Sequence, residues 1–152
     1  MDLSFSVAAH IARPVSEVFE AVADPARLSA YFTTGGARGR LETGATVSWD
    51  FHDFPGAFPV HVDEVEPNSR IVLRWAANDP GSAESYATIV TFTFAPVDDD
   101  TRTLVRISER GWPQTGTGLE ASYGNCYGWT QMLCALKVWL EHGINLREGM
   151  FK

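Results

Sequence analysis

The stretch CYGWTQMLCALKVWLEHG, residues 126–143, decides the fold. Its apolar residues recur at helical spacing, which predicts one long helix from roughly Gly118 to His142. One stripe of that helix collects Ser122, Asn125, Trp129, Met132, Leu133, Leu136 and Leu140. The first part of the stripe is small or polar and the rest is apolar. This pattern indicates a helix that covers a core at one end. At the other end it either lines a partly polar cavity or extends past the sheet into solvent.

The composition excludes several classes of partner. The chain has 152 residues, 45% of them hydrophobic, which is enough to bury a core without disulfides or metals. Its net charge is −7, and its 12 Lys and Arg residues are scattered. Nucleic acids and anionic membranes attract basic patches, so we expect neither as a partner.

The apolar runs, the N-terminus and the cysteines of the chain indicate its location and its domain count. No apolar run approaches the roughly 20 residues of a membrane span, and the N-terminus does not resemble a signal peptide. The two cysteines, Cys126 and Cys134, lie about 12 Å apart along the predicted helix, too far for a disulfide. We expect a cytoplasmic protein with inert, buried thiols and a single domain over residues 1–152.

The rest of the chain changes from a strand period to a helix period and back. LSFSVAAHI alternates with a period of two, which is typical of a strand. PVSEVFEAVAD and DPARLSAYF have helical spacing, with prolines suited to the first helical position. TTGGARG is predicted to be a turn. Alternating segments then predict antiparallel hairpins joined by the turns EPNS and VDDDT: ATVSWDF, FPVHVDEVEP, RIVLRWA, SYATIVTFTFAP and RTLVRIS.

This order of elements carries a family resemblance. Four segments occur in sequence and cover almost the whole chain: IARPVSEVFEAVADPARLSAYF, VDEVEPNSRIVLRW, TIVTFTFAPVDDDTRTLVRISERGWP and GWTQMLCALKVWLEHG. They resemble the SRPBCC superfamily (START-like, similar to the birch-pollen allergen). Within it, they resemble the group related to the activator of the 90-kDa heat-shock protein ATPase. Tyr31 and Trp112 depart from the expected tryptophan and phenylalanine but keep an aromatic ring.

The resemblance implies a fold but not one activity. It implies an α+β helix-grip domain, in which a curved antiparallel sheet of about six to seven strands wraps around the long C-terminal helix. Two short helices follow the first strand, and a cavity lies between the sheet and the long helix. The superfamily includes lipid and hormone carriers, cyclase-type polyketide proteins and co-chaperone domains, so function must be argued from the site.

The apolar faces of the predicted strands point at the helix. They carry Val47, Trp49, Phe51, Val62, Leu73, Trp75, Val90, Phe92, Phe94, Val105 and Ile107. Together with Trp129, the aromatic members are numerous enough to line a pocket. Ordinary core packing is the competing interpretation, because aromatic stripes are more often core.

Glu109 is the polar residue of most interest, because it continues the inward alternation of Val105 and Ile107. On that face it would bind a ligand's hydroxyl or amine, or act as an acid or base if burial raised its pKa. Strand ends are commonly wet, however. The pattern therefore favours a Glu109 that reaches solvent or pairs with an arginine such as Arg110.

The remaining candidates are weaker. The four histidines lack metal-ligand spacing and are expected on the surface, so no metal or cofactor is predicted. QTGTGLEASYG before the long helix is either a lid over the cavity mouth or a plain connection. Tyr127, Val138 and Trp139 lie off the inward stripe. They either pack within the domain or form a homodimer face.

The sequence therefore supports one main hypothesis and two alternatives. The main hypothesis is binding of a small, largely apolar, aromatic or lipid-like molecule in the cavity. Its expected lining is Tyr31, Trp49, Phe51, Trp75, Phe92, Glu109, Trp112, Asn125 and Trp129. Aromatic rings would supply burial, while Glu109 and Asn125 would orient the ligand. The alternatives are a co-chaperone-like interaction domain and a cyclase- or hydrolase-type enzyme that uses Glu109.

Overall fold

The computed structural model describes residues 3–152 and confirms the predicted α+β helix-grip architecture. The elements in chain order are β1 (Leu3–Ile11), α1 (Val15–Ala23), α2 (Pro25–Ser29), β2 (Gly36–Arg38), β3 (Thr46–Asp50), β4 (Phe58–Glu66), β5 (Arg70–Ala76), β6 (Ala87–Val97), β7 (Arg102–Trp112) and α3 (Gly116–His142). The strands form one antiparallel sheet in the order β1-β7-β6-β5-β4-β3-β2. The long helix α3 packs on β1 and β7.

The inner face of the sheet is the apolar face that the alternation predicts. The predicted inward residues that are buried are Val47, Trp49, Phe51, Val62, Leu73, Val90, Phe92, Phe94, Val105 and Ile107. Trp75 lies on the same face but is only partly buried. Because successive strand residues point to opposite faces, this one pattern fixes which side of the sheet meets α3.

Each of the two short helices begins where a carboxylate accepts a hydrogen bond from an amide of its first turn. Asp24 accepts a hydrogen bond from the Ala26 amide at 2.9 Å, with Pro25 at the first helical position. The start of α1 is capped from a distance, since Asp100 in the β6–β7 turn accepts from the Val15 amide at 2.8 Å. That turn therefore holds α1 against the sheet.

Two local predictions need correction. The TTGGARG turn contains a short edge strand, β2, which pairs with β3 because Gly36 and Ala37 reach into register with Asp50 and Trp49. The QTGTGLEASYG segment is mostly helix and not a lid, because α3 begins at Gly116, where Thr115 accepts a hydrogen bond from the Gly118 amide at 3.0 Å.

The outer surface of α3 is more open than expected. Both thiols are free, but Cys126 is half-buried and Cys134 is exposed, so the expectation of buried thiols is wrong.

Among residues 3–152, no helix combines the length and apolarity needed to cross a membrane. The long helix α3 ends at Gly143, which adopts the left-handed conformation (φ 68°) that glycine tolerates without strain.

Candidate functional site: an aromatic cavity beside a buried carboxylate

Glu109 is buried although it lies near the end of its strand. Only 1% of its surface is exposed, so the expectation that it reaches solvent or pairs with Arg110 is wrong. The physical reason is that β1 pairs with β7 here, with Phe5 opposite Glu109, and α3 covers the same face. The strand end is therefore in the interior of the domain.

The carboxylate accepts hydrogen bonds from four side chains on three other elements. Oε1 accepts from the Trp129 indole at 2.7 Å and from Asn125 Nδ2 at 3.1 Å. Oε2 accepts from the Trp75 indole at 2.9 Å, from the Thr88 hydroxyl at 2.6 Å and from Asn125 Nδ2 at 2.9 Å. Glu109 thus links β5, β6 and α3, and both of its oxygens are fully used.

Burial and hydrogen bonding act on this carboxylate in opposite directions. Burial raises the pKa of Glu109 above its ordinary value of 4.5, and the four donors partly offset that rise. None of the donors carries a formal charge. The group is a buried acid held by neutral donors, so its protonation depends on a balance between desolvation and hydrogen bonds.

The main consequence of this network is a fixed pair of indoles. Trp75 from β5 and Trp129 from α3 stack with ring centroids 5.5 Å apart and planes at 29°. Phe32 packs on Trp129 at 5.5 Å, and Phe58 packs on Trp75 at 5.7 Å. Because each indole N–H is bound to Glu109, the rings cannot rotate without breaking a buried hydrogen bond.

These rings form the wall of a cavity of about 550 Å³. Its aromatic lining residues are Phe32, Phe51, Phe54, Phe58, Trp75 and Trp129. Its charged or amide-bearing lining residues are Asp53, Asn78, Glu120, Asn125 and Arg147. The cavity lies between the first half of α3, the β3–β4 loop and the end of β5. It has the apolar wall with a few polar groups that is typical of small-molecule sites.

The helical side of the cavity is built from very small residues. Ala121, Gly124 and Gly128 line it, and a Cβ placed on either glycine would meet no atom of residues 3–152 within 4 Å. Glycine inside a helix destabilises it by about 1 kcal/mol relative to alanine. Neither glycine has a steric reason to be glycine, and together they keep the space beside the indoles open.

The C-terminal segment supplies one charged side chain to the cavity. Arg147 is only 3% exposed. Its Nη2 lies 3.1 Å from Asp53 Oδ1, and its Nη1 donates a long hydrogen bond of 3.4 Å to Gln131. Its guanidinium carbon lies over three phenylalanine rings: Phe32 at 5.5 Å, Phe51 at 5.8 Å and Phe151 at 4.9 Å.

The structure brings only some of the predicted lining residues to the cavity. Phe51, Trp75, Asn125 and Trp129 line it. Glu109 lies behind this wall and reaches the cavity only through the side chains that it binds. Tyr31, Trp49 and Phe92 are 0–1% exposed and belong to the core.

Tyr31 and Trp112 show why two predicted residues are elsewhere. The Tyr31 hydroxyl donates to the Ala21 carbonyl at 2.9 Å, which ties it to α1. Trp112 stacks on Phe5 with ring centroids 5.6 Å apart. It keeps to the inner face because Gly111, with φ of 119°, lies at an irregularity in the β1–β7 pairing.

The sequence prediction missed the residues whose signals are weak or non-local. Phe32, Phe58 and Arg147 come from loops and element ends where periodicity says little about direction. Gly124 and Gly128 did carry a readable signal, since two glycines four residues apart in a helix interior weaken it without a capping role. Within residues 3–152, no group of three or more His, Cys, Asp or Glu side chains is arranged to hold a metal ion.

Solved structures of the same architecture are numerous. One is protein SSP2350 from Staphylococcus saprophyticus, with 24% sequence identity, a TM-score of 0.77 and coverage of 95% of this chain and 96% of that one. Another is the Aha1 dimer from Colwellia psychrerythraea, with 22% identity, a TM-score of 0.72 and coverage of 93% and 98%. These two likenesses establish the fold alone.

A third structure and the family assignment complete the comparison. DynU16, a putative protein in the dynemicin biosynthetic locus, is 26% identical with a TM-score of 0.75, and the match covers 93% of this chain but 48% of DynU16. No curated protein matches the sequence. Residues 12–141 match the family described as "Activator of Hsp90 ATPase homolog 1-like protein". The chain therefore belongs to the Hsp90 ATPase activator homolog 1-like family, within the SRPBCC-type helix-grip proteins.

Proposed function

We propose that this protein binds a small, largely apolar, ring-containing molecule in the cavity between the sheet and the first half of α3. The observation that carries the proposal is the aromatic cavity of about 550 Å³, which two helix glycines keep open. Its volume lies within the roughly 300–1,000 Å³ usual for ligand pockets. A helix built only to cover a core would fill this space with larger side chains.

The fixed aromatic wall favours a planar ligand. Trp75 is only partly buried, so its ring has surface left to cover. Stacking and burial of such rings stabilise a bound ring by about 0.5–1.5 kcal/mol beyond the area term. Because Glu109 already fixes Trp75 and Trp129, binding would order few additional rotamers.

Asn125 would orient the ligand with its carbonyl oxygen. Its Nδ2 group donates to both oxygens of Glu109. Because a carboxylate only accepts, this contact fixes the orientation of the amide, with Nδ2 toward Glu109. The amide oxygen is the group that Asn125 has left to offer the cavity. It would accept a hydrogen bond from a ligand hydroxyl or amine. In this role Glu109 positions Asn125 and the indoles and does not contact the ligand.

The test is to look for a ligand in the protein as purified. Native mass spectrometry would show a co-purified small molecule, and a thermal-shift screen of aromatic and lipid-like compounds would show a saturable rise in Tm. Gly128→Leu fills the cavity without weakening the helix and should abolish both signals. Cys134→Leu, on the exposed side of the same helix, is the matched control. A clean mass with no shift for any compound, or unchanged binding by Gly128→Leu, would contradict the proposal.

The alternative functions have less support from the geometry. An enzyme that uses Glu109 as acid or base needs an oxygen free to reach a substrate, whereas both oxygens are engaged behind the indole wall. A co-chaperone role is suggested by the family's description alone. A stable complex with the 90-kDa heat-shock protein on mixing would support it.

We also propose self-association through the exposed side of α3. Tyr127 is 65% exposed, as the homodimer hypothesis requires, but Trp139 packs partly against the core and Val138 is half-buried. Tyr123 and Leu119, one and two turns before Tyr127, are 64% and 39% exposed and extend the apolar face instead. The Colwellia relative is a dimer in solution.

Light scattering after size-exclusion chromatography tests this face. Tyr123→Glu with Tyr127→Glu should convert a dimer to a monomer. Thr93→Glu, on the outer face of the sheet, should leave the dimer intact. A wild-type protein that is monomeric at high micromolar concentration would contradict the proposal.

A cytoplasmic location is the last part of the proposal. Cys126 and Cys134 are free thiols, and Cys134 is exposed, which suits a reducing compartment. Alkylation of both thiols at the moment of cell lysis, without added reductant, is the expected result. Prior blockage of both thiols by disulfides would contradict it.

A further inference from the structure

We propose that the ligand of the cavity carries an anionic group and that Arg147 binds it. This inference rests on the proposed function and specifies its ligand class as a planar, ring-containing acid. Arg147 is the charged residue of the lining that is buried, whereas Asp53 and Glu120 are exposed at the mouth.

The counter-charge that the protein itself supplies to Arg147 is weak. Its partner Asp53 lies in the β3–β4 loop with a side chain 39% exposed, compared with 3% for Arg147. Solvent screens the exposed carboxylate, while the guanidinium has lost most of its own hydration. A buried cation paired with one solvated anion is left with uncompensated desolvation.

The hydrogen bonds of Arg147 are also incomplete. A guanidinium has five N–H donors, and the described residues accept from Nη1 and Nη2 only. Nε is buried and has no partner among residues 3–152. Buried donors are nearly always satisfied in proteins, so an unsatisfied one at a cavity marks the place where a ligand acceptor would bind. A carboxylate suits this site because guanidinium and carboxylate form two parallel hydrogen bonds.

A cationic ligand fits the same walls less well. The guanidinium of Arg147 already lies over the rings of Phe32 and Phe51, so a ligand cation would find these two ring faces occupied. Glu109 is separated from the cavity by the indoles that it binds. Burial lowers the pKa of Arg147, but an arginine side chain keeps its proton in proteins. The cavity therefore retains a fixed positive charge on its buried side.

The experiment compares three probes that share one ring system. 2-Naphthoic acid, 2-naphthamide and 2-naphthylmethylamine are titrated at pH 7 and followed by tryptophan fluorescence and calorimetry. The wild-type protein should bind the acid at least 10-fold more tightly than the amide, and more tightly than the amine. Arg147→Met should lose roughly 10- to 100-fold for the acid, the scale of a hydrogen bond to a charged group, and retain the amide affinity. Arg110→Met removes the same charge at an exposed position and should change neither.

A second variant keeps the test valid if Arg147→Met folds poorly. Asp53→Asn removes the competing carboxylate from an exposed loop, so it should strengthen acid binding by a larger factor than amide binding. Tighter binding of the amide or amine by wild type, or an acid preference that survives in Arg147→Met, would overturn this inference alone. Failure of all three probes, with a clean mass for the purified protein, would overturn the proposed function as well.

Discussion

The two halves of α3 pack differently against the same sheet: the second half fills a core, and the first half leaves a cavity. In the second half, Met132, Leu133 and Leu136 are 0–4% exposed and fill the core. In the first half, Gly124 and Gly128 leave open space in front of the indoles. Glu109 lies at the junction, where it binds both Asn125 and Trp129. The comparison teaches that one helix can close a core and keep a cavity when side-chain size changes along a single stripe.

The largest expected effect is loss of packing in the closed half. Leu136→Ala should lower the free energy of unfolding by about 3–5 kcal/mol, because Leu136 is fully buried and its neighbours cannot fill the space. Leu119→Ala makes the same change in the open half, where the side chain is 39% exposed, and should change stability by less than about 1 kcal/mol. Urea unfolding measures both. Equal losses would mean that the halves do not differ.

The next effect is at the junction. Glu109→Gln should destabilise the protein by about 2–3 kcal/mol, because an amide turns its NH₂ toward buried donors and leaves an indole N–H without an acceptor. Glu120→Gln, at the exposed cavity mouth, should change stability little. Near-ultraviolet circular dichroism should show altered tryptophan packing in Glu109→Gln only. An unchanged spectrum and unfolding midpoint would remove Glu109 as the link between the halves.

A smaller effect of opposite sign is expected in the helix itself. Gly124→Ala should stabilise the protein by up to about 1 kcal/mol, since a Cβ there meets no described atom within 4 Å and alanine is the better helix former. Ala135→Gly, the reverse change in the closed half, should destabilise it by at least that amount because Ala135 is fully buried. Thermal unfolding distinguishes the two signs. A destabilised Gly124→Ala protein would show that the glycine has a structural role.

The smallest effect is a dependence on pH. The pKa of Glu109 is raised in the folded state, so folding binds a proton between the ordinary value of 4.5 and the raised value. Its contribution to stability is therefore fully present below pH 4.5 and is lost as the pH rises through the raised value. The loss is expected to be modest because the four donors oppose desolvation.

The urea unfolding midpoints of wild type and Glu109→Gln, compared at several pH values, isolate the contribution of Glu109 to stability. Their difference should shrink as the pH rises, since only wild type loses the Glu109 contribution. A difference that grows with pH would show that the hydrogen bonds outweigh burial and that the pKa is lowered.

Periodicity predicted the inward faces well and the direction of loop residues poorly. The inward positions Val90, Phe92 and Ile107 are buried as predicted, because strand alternation is a local property. A bulge at Gly111 interrupts this alternation just before Trp112, and a bulge depends on the pairing of two distant strands. Arg147 lies after the helix ends, where no period specifies what it will contact.

The sequence alone determined the order of elements, the helix-grip fold and the small-to-large change along α3. Only the tertiary structure decided that Glu109 is buried, because its environment is made by β1, β5, β6 and α3 together. Only the tertiary structure could also bring Asp53 and Arg147 together across 94 positions of the chain. Local patterns follow from backbone geometry, whereas burial and charge pairing depend on segments that are close in space and distant in sequence.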